Sequence, residues 1–346
     1  MIAERLTAQL LAGPPERTPL AVAQRLLAVQ GQDLRGARLA VRARSTGLNV
    51  ADVDRALTDE RSLLITWLNR GTLHLVASDD YPWLQALTTP PLATTIARRL
   101  AQEGVTPAAA DRGVAAIERA LAGDGPLTRD QLRDRVAAAR VPTKGQALVF
   151  VLFLAAVRGL IVRGPIVGNQ HAYVLVRDWL GEPQPVDRDR ALAELARRYL
   201  GGHGPAEERD LARWAGLPLR DARAGLHAIA SELAQREDGL VDLARRAPAA
   251  ELPPPRLLGQ YDPLLLGWSS REAILGSNAA LVVSGGLFRP FALAGGRAVA
   301  TWRLAGGAVA LEPFAPLRKQ ENAALAADAD AVVRYLDPHA RGGSSR

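Results

Sequence analysis

The sequence predicts an α+β fold in which helices are repeatedly followed by a β-hairpin, the arrangement of a winged helix, with a small β-barrel or sheet near the C-terminal end. Two observations support this prediction. Helical patterns followed by strand runs recur along the chain, and a G-x-G-P turn is found at residues 123–126 and again at 202–205. After a proline-rich segment that begins at residue 253, strand-like runs separated by glycine pairs replace the helical pattern.

The first unit contains clear helix starts. Thr18 is a capping residue before Pro19, so a helix is expected through LAVAQRLLAV. Asp33 and Asn49 are expected to cap the next two helices, DLRGARLAVRARS and VADVDRAL. Two strand-like runs in LLITWLNRGTLHLVAS then surround an N-R-G turn at residues 69–71, which is typical of a hairpin. These elements together predict a winged helix.

The pattern returns after a helical connector at residues 79–103. In the second unit Thr106 and Thr128 are expected to begin helices, and a strongly apolar helix is expected at residues 144–158. The run GLIVRGPIVGNQHAYVLV predicts a second hairpin with its turn near residues 168–169.

The third unit and the C-terminal region follow. Residues 187–246 show three helical patterns and one short strand, GLVDL. The segment PPPRLLGQYDPLLLGW (253–268) is interpreted as a linker that becomes ordered. Glycine pairs at 295–296 and 306–307 then separate strand runs, and a closing helix is expected near 318–336.

Composition favours a nucleic-acid partner without proving one. The chain has 346 residues, a formal charge of +7 and a pI of about 10.4, and only two of its 43 basic residues are lysines. The planar fork of arginine suits phosphate, although a GC-rich genome would produce the same bias. A pI above about 9 raises the expectation of nucleic-acid binding.

Several classes of protein are excluded or disfavoured. The chain has no cysteine, so disulfides, thiolate metal sites and a cysteine nucleophile are excluded. The apolar run at 147–157 is too short for a bilayer span, and MIAERLTAQL lacks a signal-peptide core, so a cytoplasmic protein is expected. The five histidines lack ligand spacing, and neither a P-loop nor a G-x-G-x-x-G after a strand is present. We therefore expect no metal and no cofactor.

The stretch VQGQDLRG (29–36) places two amides, Gln30 and Gln32, on either side of one glycine. A neutral amide is not basic enough to act as a general base. From spacing alone, the two glutamines are best interpreted as capping or loop residues.

Five segments together resemble one protein family. They are VQGQDLRGARLAVRAR, TWLNRGTLHLV, GPIVGNQHAYVLVRDW, GPAEERDLARWAG and QYDPLLLGWSSRE. On these segments the chain is similar, from about residue 4 to 336, to the AlkZ/YcaQ-type winged-helix DNA glycosylases, a family of alkylpurine and interstrand-crosslink glycosylases. The resemblance implies three tandem winged-helix modules followed by a small C-terminal β-barrel, curved around a DNA-binding channel.

With this resemblance the chain divides into five expected parts. They are winged helix 1 with the helical connector (1–103), winged helix 2 (104–184), winged helix 3 (185–252), the β-barrel with its closing helix (253–337) and a disordered tail (338–346).

The resemblance also implies an activity and a catalytic element. The family hydrolyses the N-glycosidic bond of alkylated bases with a glutamine–aliphatic–glutamine triplet, which aligns here with Gln30, Gly31 and Gln32. A purine alkylated at N7 or N3 is cationic and leaves as a neutral base, so no general acid is needed. The sugar develops oxocarbenium character, and two amides could orient the water that attacks C1′.

Other residues are expected to support the site or to bind DNA. Asp33 is expected to be a cap that could also orient Gln32 or the water, and Asp262 is expected to be structural. Trp67 is expected in the core. The predicted DNA contacts are Arg35, Arg38 and Arg42 on one helix face, Arg70 and His74 on the first hairpin, and Asn169, Gln170 and His171 at the tip of the second.

The leading hypothesis is a monofunctional glycosylase that acts on cationic, possibly bulky or crosslinked purines in duplex DNA as a monomer. Lyase activity is not expected, because Lys144 and Lys319 lie far from the glutamines in sequence. DNA repair and self-resistance to a DNA-alkylating natural product both fit. The alternatives are a non-catalytic winged-helix DNA-binding protein, such as a transcriptional regulator, and a structural module that binds another protein.

Overall fold

The computed structural model describes residues 1–168, 170–182 and 184–337, which form a mixed fold of α-helices and antiparallel strands. The α-helices of these ranges, numbered in chain order, are α1 Ile2–Ala8, α2 Pro19–Leu26, α3 Leu34–Arg42, α4 Val50–Thr58, α5 Tyr81–Thr88, α6 Ala93–Gln102, α7 Pro107–Asp124, α8 Arg129–Ala138, α9 Ala147–Val157, α10 Val176–Leu180, α11 Arg188–His203, α12 Glu208–Ala215, α13 Leu219–Ala228, α14 Glu272–Leu275, α15 Ala279–Val282 and α16 Lys319–Leu336.

The strands pair antiparallel. They are β1 Val29–Gln30, β2 Leu63–Leu68, β3 Thr72–Ala77, β4 Leu127–Thr128, β5 Ile161–Val167, β6 Gln170–Leu175, β7 Leu233–Gln235, β8 Val241–Leu243, β9 Arg256–Leu258, β10 Val283–Ser284, β11 Leu287–Phe288, β12 Phe291–Ala294, β13 Arg297–Ala305 and β14 Ala308–Pro313. In the described ranges, no helix has the length and apolar character that crossing a bilayer requires.

The predicted helix caps are confirmed. The hydroxyl of Thr18 accepts from the amide of Ala21 at 3.1 Å, and the Asp33 carboxylate accepts from the amide of Gly36 at 2.8 Å. Asn49, Thr106 and Thr128 cap α4, α7 and α8 in the same way. Each cap satisfies an amide that has no partner within its helix. The sequence pattern does not predict helix α1.

The two predicted hairpins belong to one sheet. The strand order is β1-β3-β2-β5-β6-β4, so hairpin β2–β3 and hairpin β5–β6 lie side by side. They meet where Ile65 on β2 pairs with Arg163 on β5. The sequence predicts each hairpin separately, whereas their union in a single sheet depends on tertiary packing.

This sheet separates two hydrophobic cores. Leu64 and Val76 contribute to a core that includes α11, α12 and the segment after β9, whereas Ile65 and Leu75 contribute to a core that includes α7 and α9. Trp67 lies in the second core, 6% exposed and stacked on Phe153 at 5.3 Å, as predicted. Because successive side chains of a strand point to opposite faces, both faces of the sheet are covered.

The third unit contains α11, α12, α13 and the two-stranded sheet β7–β8. Helix α11 packs against α13 and also against α2 and α5 of the first unit. The third unit is therefore in direct contact with the first, although about 100 residues lie between them in the sequence.

Four of the strands after residue 253 form an open sheet, and β10 and β11 form a separate two-stranded sheet. The barrel that the resemblance implies is not closed in the described part of the chain. The order is β14-β13-β12-β9, so β14 and β9 are the two edges and do not pair with each other. Helix α16 packs against β9 and β14, with Leu325, Val332 and Tyr335 buried. The helix covers one face, so the sheet can bury its apolar residues without closing into a barrel.

Candidate active site

The first glutamine lies on a short strand at the edge of the six-stranded sheet. Val29 and Gln30 of β1 pair with Leu75 and His74 of β3, and the amide of Gly31 donates to the carbonyl of Leu73 at 2.7 Å. Gln30 is 6% exposed. The spacing of the glutamines predicts capping or loop residues, but the structure instead fixes the backbone of Gln30 and Gly31 by strand pairing.

The two glutamine side chains contact each other. Nε2 of Gln30 donates to Oε1 of Gln32 at 2.5 Å, and Gln32 is exposed. In the described part of the chain neither side chain has another hydrogen-bonding partner. The Oε1 atom of Gln30, the Nε2 atom of Gln32 and the second lone pair on Oε1 of Gln32 therefore remain able to bind water or substrate.

Gly31 allows this close approach to β3. A Cβ atom at this position would lie 3.3 Å from the amide nitrogen of Leu75 and 3.5 Å from Cγ2 of Ile65. A backbone atom in the middle of a sheet cannot move easily, so a larger residue would push the amide pair away from β3. The glycine holds Gln30 and Gln32 close to the sheet, where the family pattern has an aliphatic residue.

Helix α3 begins directly after the pair and is held by the C-terminal region. Asp33 caps the helix, so one of its oxygens is already committed to the amide of Gly36. A Cβ on Gly36 would lie 2.3 Å from the carbonyl oxygen of Gln260, which shows how closely α3 lies against that segment. The hydroxyl of Tyr335 donates to the carbonyl of Arg38 at 3.0 Å.

His74 lies directly across from Gln30 and is buried, 5% exposed. Its Nδ1 lies 2.9 Å from the carbonyl of Thr72, so Nδ1 carries the proton and Nε2 is an acceptor. Burial lowers the pKa of His74 to about 3, and the positive charge of Arg70 contributes to this. The imidazole is therefore neutral and lies beside the glutamines, rather than on an open surface as the DNA-contact prediction requires.

The predicted basic face of α3 is largely neutralised. Arg38 forms an ion pair with Asp54, and Arg42 forms one with Asp328, at 2.5 Å. Arg35 is exposed, and in the described ranges it forms no ion pair. The structure thus leaves Arg35, of the three arginines, available to a phosphate without breaking an existing ion pair.

Arg70 is also engaged, but by backbone atoms. Its Nη1 donates to the carbonyls of Arg213 and Trp214 at 2.9 and 3.0 Å, which lie in the last turn of α12. The tip of the first hairpin is therefore attached to the third unit. Among the residues that the structure describes, no carboxylate pairs with the positive charge of Arg70.

The tip of the second hairpin is described in part. Asn169 lies outside the described residues, and Gln170 is exposed. His171 is partly buried, and burial lowers its pKa to about 4, with the charges of Arg163 and Arg38 adding to the effect. The amide of Ile166 donates to the hydroxyl of Thr58 at 3.2 Å, so this hairpin packs on α4.

Asp262 is buried in an ion pair, which is in line with the structural role that the sequence predicts. Both its carboxylate oxygens accept from Arg44, at 2.7 and 2.9 Å, and neither residue is exposed to solvent. The sequence does not reveal the contribution of the segment around Gln260 to α3 or the position of Arg213 beside Arg70. Both contacts join residues far apart in sequence, and no local pattern predicts them. In the described ranges no group of three or more acidic or histidine side chains could bind a metal ion.

Comparisons with known proteins agree with the resemblance. The sequence model of the DNA glycosylase AlkZ-like family matches residues 23–335. An interstrand DNA cross-link repair glycosylase of Streptomyces sahachiroi is 29% identical, with 96% of this chain and 95% of the relative covered. The solved structure of the Streptomyces sahachiroi DNA glycosylase AlkZ superposes with a TM-score of 0.78 at 26% identity, covering 96% of this chain and 95% of that one.

Proposed function

The chain belongs to the DNA glycosylase AlkZ-like family, and from this premise we propose that it hydrolyses the N-glycosidic bond of cationic, N7- or N3-alkylated purines in duplex DNA. The observation that carries the proposal is the hydrogen-bonded amide pair of Gln30 and Gln32. One of these side chains is held in the sheet and the other faces solvent, so the pair can meet a substrate with its orientation already set.

The chemistry of the substrate explains why two amides suffice. The alkylated purine carries a positive charge and departs as a neutral base, so the enzyme does not need to protonate it. As the bond breaks, the sugar becomes cationic and water must reach C1′. The free carbonyl oxygen of Gln30 accepts from this water and directs its negative end toward the developing charge. Gln32 fixes the orientation of Gln30 by accepting from its Nε2.

Two neighbouring residues, His74 and Asp33, add no positive charge beside the glutamines. His74 is uncharged at neutral pH, so it does not repel a cationic sugar from its position opposite Gln30. The carboxylate of Asp33 lies at the start of α3, two residues from Gly31, and its second oxygen could help to orient Gln32. We propose Asp33 as a supporting residue and Gln30 and Gln32 as the catalytic residues.

We propose that the substrates include crosslinked purines. The Streptomyces sahachiroi relative is named for interstrand DNA cross-link repair, and it matches this chain over nearly its whole length. We expect base release without strand cleavage, because a lyase needs an amine and the only two lysines, Lys144 and Lys319, lie on segments remote in sequence from β1. Repair and self-resistance to an alkylating natural product are both consistent with this activity.

We further propose that the three helix-and-hairpin units act as winged-helix modules around a DNA channel, with the divisions 1–103, 104–184, 185–252 and 253–337. The third unit contacts the first, and the C-terminal region packs against α3, so the glutamines lie where several units meet. Arg35 and Gln170 are exposed and are the DNA contacts that the geometry supports best. The proposed partner is duplex DNA, and the proposed active form is a cytoplasmic monomer.

A base-release assay tests this function. Duplex DNA that contains N7-methylguanine, or a larger N7 adduct, is incubated with the protein, and the free base is measured by mass spectrometry. Gln30→Ala and Gln32→Ala are each expected to slow release at least about tenfold, which is about 1.4 kcal/mol in the barrier. The reason is that each variant removes an oriented carboxamide from the site.

Gln24→Ala is the matched control, because Gln24 is an exposed glutamine on α2 whose side chain forms no hydrogen bond in the described part of the chain. Its rate is expected to equal that of the wild type. Duplex binding should persist in both active-site variants, which separates a loss of chemistry from a loss of folding. Full activity in the Gln30→Ala/Gln32→Ala double variant would rule out the proposed mechanism.

A further inference from the structure

Three arginines from distant parts of the chain lie on helix α12 or on segments that are bonded to it. Arg70, at the tip of the first hairpin, donates to the carbonyls of Arg213 and Trp214 at the C-terminal end of this helix. The two segments are close together, since a Cβ on Gly216 would lie 2.7 Å from the carbonyl oxygen of Asn69. The Arg213 side chain itself is exposed.

The third arginine, Arg271, lies in the segment that follows Trp268. The amide of Ser269 donates to Oδ1 of Asp210 at 2.8 Å, which fixes this segment on α12 one turn before Arg213. Arg271 follows two residues later. Its Nε donates to the carbonyl of Leu265 at 2.6 Å, and its guanidinium lies 5.0 Å from the ring centre of Phe288.

The positive charge of this cluster is not balanced. Among the described residues none of the three guanidinium groups forms an ion pair, whereas Arg38, Arg44 and Arg246 each have a carboxylate partner. Burial lowers the pKa of Arg70, and the charges of Arg213 and Arg271 lower it further. Burial, and then the charge of Arg213, also lower the pKa of Arg271. Both carboxylate oxygens of the nearby Asp210 already accept from backbone amides.

The cluster lies close to the amide pair. The charge of Arg70 acts on His74, and His74 is directly across from Gln30. The amide of Gly31 also donates to the carbonyl of Leu73, three residues after Arg70. An unbalanced positive charge on Arg70 would therefore oppose both a cationic base and a developing oxocarbenium ion. A bound anion removes this conflict, because it neutralises the guanidinium groups and contributes negative charge near the reacting sugar.

We propose that Arg70, Arg213 and Arg271 form a binding site for one backbone phosphate of the damaged strand and so position its sugar over Gln30 and Gln32. This inference rests on the proposed function, since it assumes that the nucleotide is bound beside the glutamines. Guanidinium groups suit this task because their planar forks bind phosphate oxygens in pairs. The fixed backbone contacts of Arg70 and Arg271 hold two of the three charges in place before DNA binds.

The first test is the salt dependence of duplex binding. Arg213→Gln is the main variant, since the side chain is exposed and in the described ranges forms no hydrogen bond that folding requires. Binding is expected to weaken about five- to tenfold, and the slope of log K against log salt should fall by about 0.9 for each phosphate that the protein no longer neutralises. Arg271→Gln should act in the same direction. Arg220→Gln, an arginine on α13 that is 85% exposed, is the control and should leave the slope unchanged.

The second test identifies the phosphate. Duplexes in which one linkage near the lesion is an uncharged methylphosphonate are compared for the wild type and Arg213→Gln. We expect one linkage at which the methylphosphonate weakens binding by the wild type but does not weaken binding by the variant any further. Equal weakening in both proteins at every linkage would overturn the proposal. Competition by inorganic phosphate at matched ionic strength would also overturn the proposal if it affects the wild type alone and does not depend on the linkage. That outcome would indicate a site for free anions.

The two proposals fail in different ways. If the wild type releases no base but Arg213→Gln still lowers the salt slope, the catalytic proposal is wrong and the phosphate site remains. If the wild type releases base and the slope is unchanged in Arg213→Gln, the phosphate site is wrong and the catalytic proposal remains.

Discussion

At the scale of single residues, Arg44 and Asp262 form the most deeply buried ion pair of the described chain. Arg44 also donates to the backbone carbonyls of Gln9 and Ala40 and to Oε1 of Gln9. Each nitrogen of its guanidinium therefore has at least one acceptor, which offsets the desolvation of the two charges. The network connects the N-terminal segment, the end of α3 and the segment after β9.

Arg44→Met is expected to lower the free energy of unfolding by about 3–5 kcal/mol, because it leaves the Asp262 carboxylate buried and unpaired. Urea denaturation measures the change. Arg44→Met/Asp262→Leu should recover part of the loss, since neither charge then remains in the core. The control is Arg55→Met, where the arginine is 53% exposed and pairs with Asp52 on the surface, and a change below about 1 kcal/mol is expected there.

The same network decides whether Asp262 has a role in catalysis. We expect Asp262→Asn to lower stability while the rate of base release per folded molecule stays within about twofold of the wild type, since the carboxylate has no exposure to solvent. The fraction folded is measured by circular dichroism in the assay buffer. A large fall in rate with unchanged stability would instead assign a catalytic role to Asp262.

At the scale of elements, helix α3 connects the C-terminal region to the glutamines, so the position of the glutamines depends on that region. It begins three residues after Gly31, lies against the carbonyl of Gln260 at Gly36, and is bonded to α16 through Arg42 and Asp328. Strand β1 fixes the glutamines from the other side by pairing with β3. The amide pair is therefore held between two elements that are each anchored by long-range contacts.

Gly36→Ala is expected to destabilise the protein by about 1–3 kcal/mol, because a Cβ would lie 2.3 Å from the Gln260 carbonyl oxygen and force α3 away from it. Base release should fall as well, since α3 is capped by Asp33 and adjoins Gln32. Thermal unfolding and the base-release assay measure the two effects.

The matched control for this substitution is Gly123→Ala on α7. A Cβ at Gly123 would meet no atom within 4 Å, so alanine is expected to stabilise the helix by up to about 1 kcal/mol. Glycine-to-alanine substitution should thus lower the stability at Gly36 and raise it at Gly123. Stabilisation at Gly36 would show that α3 does not lie tightly against Gln260 in solution.

At the scale of the whole molecule, the sheet β1-β3-β2-β5-β6-β4 joins the first two units and separates the two largest cores. The structure also buries two histidines in different units. His74 lies beside Gln30, and His203 stacks on Tyr199 at 4.9 Å with its Nδ1 3.2 Å from the carbonyl of that residue. Burial lowers the pKa of each to about 3.

These histidines make stability depend on pH in the acid range. Their pKa is about 3 in the folded protein and about 6.5 in the unfolded chain, so the unfolded chain binds more protons at intermediate pH. The stability they contribute is fully present above pH 6.5 and is lost as the pH falls toward 3. As the pH falls through this range, each histidine is expected to lower the free energy of unfolding by about 1.4 kcal/mol per pH unit.

His203→Gln should therefore reduce the slope of unfolding free energy against pH by about 1.4 kcal/mol per pH unit, which corresponds to the uptake of one proton. Urea denaturation between about pH 6.5 and 4.5 measures this slope. His227→Gln is the control. This variant should leave the slope unchanged, because His227 is exposed on α13. A slope that is identical in the wild type and both variants would mean that His203 is protonated in the folded state.

Local sequence patterns are enough to predict the features that depend on neighbouring residues. Thr18, Asp33 and Thr128 accept from amides three residues away, so their capping role can be read from the chain. The two hairpins follow from strand-like runs around short turns. The amide pair of Gln30 and Gln32 was recognised through the family resemblance, because its spacing alone favours capping or loop residues.

Long-range packing sets which charges are free and how the glutamines are held. Arg42 pairs with Asp328, 286 residues away, and Arg70 binds the end of α12, whereas local patterns suggested exposed cations in both places. Strand β1 has two residues and no periodicity of its own, so its pairing with β3 could not be predicted. The open C-terminal sheet also depends on α16 covering one face. Contacts between distant residues are set by packing of the whole chain, and local sequence patterns carry no record of them.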